Sequence, residues 1–139
     1  MTTYAGERSI IDIDAHILEP AGWLKGYASQ SERDEIPELG SDDPQFERLL
    51  TDAVIDHERR RSDLDHRERA TNDYMKMSRK GWMSLGGWDP DERSVALDLL
   101  GFERQVVFPT GAFEQVYKTP AKARAEAARA MNRGLVEFC

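Results

Sequence analysis

The chain has 139 residues, 40% of them hydrophobic, with three Trp, five Phe and four Tyr, which is enough apolar bulk for the core of one ordinary domain. Its 19 basic and 26 acidic residues give a formal charge of −7, and that sets aside a nucleic-acid footprint, which needs a basic face. No apolar run reaches the roughly 18 residues of a membrane span, and MTTYAGERSI has neither a basic leader nor an apolar signal core, so a cytoplasmic protein with no membrane partner is expected.

The first ten residues are polar and lead into the stretch IIDIDAHILEP, where Ile10, Ile11 and Ile13 predict a strand near 9–14. Side chains alternate along a strand, so Asp14 and His16 are expected on one face with Ile13 on the other, a carboxylate and an imidazole converging on one cation. A plainer role for the same pair is hydrogen bonding at a strand end. Cys139, the single cysteine, forms no internal disulfide, so a metal site here must draw on His and carboxylates.

After Pro20, the spacing of Trp23, Leu24 and Tyr27 predicts a short helix. From Ala28 to Pro44, Pro37, Gly40 and Pro44 cut a polar segment into pieces that read as a surface loop. Between Pro44 and Arg69 the pattern turns helical, with Phe46, Leu49, Leu50, Ala53 and Val54 as an apolar stripe that fades into DHERRRSDLDHRER. Asp56 with Arg60, Asp63 with Arg67 and Asp65 with Arg69 are acid-before-base pairs four apart, the pattern of a solvated helix face. On one helix His57 and His66 lie about 180° apart, so both are expected as solvated polar residues, and the Arg59 to Arg61 triplet as solvent-facing.

The stretch that carries Trp82 and Trp88 shows no period and reads as an irregular loop closing a core edge. Asp89 then offers an N-cap, Pro90 the first helical position and Glu92 the third, with Val95, Ala96, Leu99 and Leu100 as a buried face and Gly101 as the stop, predicting a helix over 90–100. RQVVFP predicts a buried parallel strand over 104–109, and Thr110 and Gly111 are expected to open a loop. Thr119 and Pro120 repeat the cap signal before an Ala-rich helix over 120–138, in which Gly134 is a weak point. Two strands with helices between and after them, and a long insertion over 20–88, describe an α/β chain with a parallel sheet.

Three blocks in order, IIDIDAHILEP, GGWDPDERSVALDLLGFERQVVFPT and AARAMNRGLVEFC, resemble the N-terminal third of the amidohydrolase-related family that includes the aminocarboxymuconate-semialdehyde decarboxylase-like enzymes. The likeness covers residues of about 10–23 and 81–139; the triplet alone is unspecific, and the joint occurrence carries it. It implies the opening of a (β/α)₈ TIM barrel with a divalent metal at the C-terminal ends of its strands, zinc first and manganese also compatible. Asp14 and His16 match the family's first-strand ligands. Glu19 is then an outer partner that orients His16, or a turn former, and Thr110, Gly111 and Phe113 are substrate contacts in the loop after the second strand.

Such a barrel takes about 250 residues, and the family's remaining ligands and catalytic base, a His from each of two middle strands and an Asp near the last, have no counterparts here. The expectation is an N-terminal fragment of a metal-dependent hydrolase or decarboxylase for a small carbonyl or carboxylate compound, silent alone, with open strand edges prone to self-association. A non-catalytic remnant or binding domain of the same fold, and a small independent α/β domain, are the alternatives.

Overall fold

The structure, a computed structural model, describes residues 3–40, 43–76 and 81–139; the parts of the expected polar lead, surface loop and irregular Trp-bearing stretch that fall on 1–2, 41–42 and 77–80 lie outside the described residues. Among the described residues, two parallel strands form an open sheet accompanied by six α-helices. No helix among them is long and apolar enough to cross a membrane.

Strand β1 spans Ile11–His16 and β2 spans Arg104–Phe108, paired from Ile11↔Arg104 to His16↔Phe108. β1 thus runs two residues beyond the expected 9–14, because its register is set by its partner and not by the isoleucine run. A bulge lies between Asp12 and Ala15, and the Asp12 side chain accepts the Asp14 N–H at 3.0 Å. Beyond the bulge alternation holds: Asp14 and His16 are exposed and Ala15 between them is buried. Ile13, expected on the face opposite Asp14, is 72% exposed, next to the extra residue that interrupts the period of two. Register places His16 beside Phe108 on one face, and this face, with Ile11, Val106 and Phe108, is the exposed one.

Helix α4, Pro90–Leu100, forms where the sequence signals it. The Asp89 side chain accepts the Glu92 N–H at 3.0 Å, Pro90 occupies the first turn, and Gly101 ends the helix at φ 72°. The Phe102 and Gly101 N–H groups return to Leu97 and Asp98 carbonyls, the paired bonds of a Schellman stop. A side chain at Gly101 would also strike Thr3, because the N-terminal lead crosses there and Ala5 donates to the Leu100 carbonyl at 2.8 Å.

The helix expected over Pro44 to Arg69 is two helices, α2 (Pro44–Ser62) and α3 (Leu64–Met75). Asp63 breaks it: at φ −124°, ψ 108° it is extended, and its side chain accepts the His66 N–H. Most of the charged run is solvated as expected, Arg59, Arg61, Asp65, Arg67 and Arg69 among it, but His57, Arg60 and His66 depart from that reading. Arg60 is 1% exposed and bonds Asp56 on its own helix and Glu92 on α4, at 2.7 and 2.9 Å to the latter. His57 is buried, its Nε2 at 2.9 Å from Asp89, and half-buried His66 lies 2.8 Å from Asp56.

The main core gathers Leu24, Ala28, Ile36, Ala112, Ala127 and Ala130, with Trp23, Tyr27, Val116 and Met131 packed against it. It joins α1 (Trp23–Gly26), α5 (Gly111–Lys118) and α6 (Ala121–Phe138). The segment after α1 is exposed along most of its length, as expected of a surface loop, but it is anchored: Ile36 joins this core, Leu39 is buried, and the Gln115 side chain donates to the Pro37 carbonyl at 2.8 Å. Thr119 does not cap α6 with its side chain: its hydroxyl donates to Gln115 at 2.7 Å inside the end of α5. Trp82 packs edge-on against Phe46 and donates to the Glu19 carbonyl at 3.1 Å, and Trp88 lies against the His57 ring.

Candidate metal centre

Because β1 and β2 are parallel and end together, their C-terminal ends bring Asp14, His16 and Thr110 to one edge of the sheet. The His16 Nε2 to Asp14 Oδ1 distance is 3.7 Å, and the side chains are 45% and 88% exposed. Bonds of about 2.0–2.2 Å to a shared ion would put neighbouring donors about 3.0–3.5 Å apart, so a few tenths of an ångström of movement lets the pair form one edge of a coordination shell. An imidazole with a carboxylate suits zinc or manganese. Among the described residues, no group of three or more His, Cys, Asp or Glu side chains is placed to hold a metal ion, so the pair would supply at most part of a coordination shell.

Glu19 lies behind the pair and is fully buried. Its carboxylate accepts the Thr110 N–H at 3.0 Å and the Gly111 N–H at 2.8 Å, two of the four unpaired donors at the start of α5. It therefore does not touch His16. The Thr110 hydroxyl does, at 3.2 Å from His16 Nδ1, and it also donates to the Ile17 carbonyl at 2.7 Å. The Arg93 guanidinium donates to the His16 carbonyl and lies 5.2 Å from the Phe138 ring centroid. Burial pulls Arg93 below the usual arginine pKa, against the opposing pull of Tyr74, Asp12 and Cys139.

The expected substrate loop is instead the first turn of α5. Gly111 is buried beneath Leu39 with its N–H consumed by Glu19, so it offers nothing to a substrate. Phe113 is 65% exposed. Thr110 and Arg93 escaped the sequence reading as partners of His16. For Thr110 the signal was present: the residues following two paired parallel strands must lie side by side.

A second polar assembly joins Arg60 with Asp56, Glu92, Asp89, His57 and His66; of these, Asp89 and Glu92 line a cavity of about 380 Å³ that neither Asp14 nor His16 lines. Burial opposes ionisation of Asp89, but the Glu92 N–H and His57 outweigh it and hold the carboxyl below its usual range. Burial likewise works against the Arg60 charge, and Glu92 and Asp56 reverse that and raise its pKa. These groups satisfy one another, which is the pattern of a structural tie between α2, α3 and α4.

No family model, no curated protein and no solved structure matches the chain.

Proposed function

We propose that Asp14 and His16 are two ligands of a divalent metal, zinc before manganese, in a metal-dependent hydrolase or decarboxylase of the amidohydrolase-related kind, on the opening strands and helices of a (β/α)₈ barrel. The reading is carried by one observation: a carboxylate oxygen and an imidazole nitrogen 3.7 Å apart and open to solvent at the C-terminal end of a parallel strand, the end at which such barrels place their chemistry. The ion, when bound, polarises a carbonyl or carboxylate and lowers the pKa of water toward ~7. Asp14 and His16 hold it, Glu19 and Thr110 brace the edge from behind, and exposed Phe108 and Val106 give an apolar wall beside it for the body of a small unsaturated or aromatic acid. With two ligands, the chain alone binds metal weakly and turns nothing over. Zinc titration by calorimetry tests the reading: Asp14→Ala and His16→Ala should each weaken binding by about 10-fold or more. Equal binding by both variants and the parent chain would remove it.

A binding domain of the same fold without turnover is the second reading. The exposed strip of Ile11, Ile13, Val106 and Phe108, apolar surface suited to being covered by another body, favours it.

A further inference from the structure

We propose that Thr110 is a positioning residue that sets the tautomer of His16, keeping the proton on Nδ1 and leaving the Nε2 lone pair toward Asp14. The argument counts hydrogens. A threonine hydroxyl has one proton, and the Ile17 carbonyl oxygen 2.7 Å away only accepts, so the proton is spent there. The same Oγ1 lies 3.2 Å from His16 Nδ1 and has only lone pairs left to offer, so Nδ1 is the N–H. Nε2 is then the unprotonated nitrogen, and it is the atom 3.7 Å from Asp14 Oδ1.

A histidine side chain free in water favours the opposite tautomer, with the proton on Nε2, so the hydroxyl has a preference to reverse. Imidazoles that bind metals through one nitrogen gain orientation and basicity when the other nitrogen donates to a fixed acceptor. This acceptor is fixed by the main chain. The Thr110 and Gly111 N–H groups both end on buried Glu19, and His16 is held across from Phe108 by the parallel register. The substrate contact expected of Thr110 gives way to this role, because its N–H and its hydroxyl proton are both already used.

The proposal rests on the reading of Asp14 and His16 as metal ligands, yet the tautomer is measurable with no metal present. Long-range ¹H–¹⁵N spectra of the metal-free chain, recorded at alkaline pH where the ring is neutral, should show a pyrrole-like Nδ1 and a pyridine-like Nε2 for His16. Thr110→Val keeps the N–H that Glu19 needs and removes the hydroxyl; it should shift the pattern toward the Nε2–H form and weaken zinc binding by about 10-fold or more. Thr110→Ser should restore both. An Nε2–H pattern in the parent chain, or an unchanged pattern in folded Thr110→Val, overturns the proposal whatever zinc does. An Nδ1–H pattern lost in Thr110→Val, in a chain that binds no zinc, upholds the tautomer assignment and removes the metal reading alone.

Discussion

Glu19, on the segment leaving β1, holds the backbone N–H groups of Thr110, 91 residues further along the chain, and of Gly111, at 3.0 and 2.8 Å. One buried carboxylate thus starts helix α5, closes the C-terminal edge of the sheet and fixes the residue that touches His16. It is a helix cap supplied from a distant part of the chain, and it satisfies donors that burial would otherwise leave unpaired.

Glu19→Gln should therefore destabilise the fold by about 2–3 kcal/mol, since an amide puts its own N–H₂ against one of the two N–H donors. Glu19→Ala should cost at least as much. Urea unfolding measures both, and an unchanged midpoint for Glu19→Gln would show that the two bonds contribute nothing net.

Arg60→Ala should destabilise by about 3–5 kcal/mol, because it strands Asp56 and Glu92 in a little-exposed setting without their cation. Arg59→Ala, one residue away and 60% exposed, should stay within about 0.5 kcal/mol. Equal losses for the two arginines would contradict the buried tie between α2 and α4.

Acid should weaken the fold in part through Glu126. Its carboxyl is held at about 2, against an ordinary 4.5, by the Ser29 N–H first and then by Arg133 and Arg129. A depressed folded-state pKa gives stability that is complete above the unfolded value and is lost as pH falls from 4.5 through 2. Asp89, also depressed, adds in the same direction. Melting temperatures between neutral pH and pH 2 should fall less steeply for Glu126→Gln than for the parent; parallel curves would rule this source out.

Gly134→Ala should destabilise despite a helix-propensity gain of about 1 kcal/mol. A Cβ there would lie 2.5 Å from two ring atoms of Trp23 and 2.9 Å from Tyr27, so α1 would have to move off α6. The same substitution in a Trp23→Ala background should cost less, with the Tyr27 ring as the contact still to be relieved. Additive losses in the double variant would show that the ring is not the obstacle.

The chain spelled out its local events. Asp89, Pro90 and Glu92 marked the start of α4 and Gly101 its end, because capping is settled among residues three or four apart and needs no partner from elsewhere. The parallel pair and the adjacency of Asp14 and His16 were also legible, since strand alternation requires only the strand itself. Even the break at Asp63 carried a signal, an Asp directly before Leu64 in the middle of a charged run, though three ion-pair spacings around it argued for one continuous helix.

Only the tertiary structure decided the rest. Nothing near Arg60 in sequence announces that Glu92 will cover it, so one arginine of a mostly solvated charged run became part of a buried tie between helices. The bulge at Asp12, the partner that pins Thr110 and the glycine contact that seats Trp23 each depend on residues brought together from far apart. Local hydrogen bonds and periodicity are properties of a segment, and the sequence determines them alone; which polar groups lose water, and what they meet when they do, is settled when segments pack.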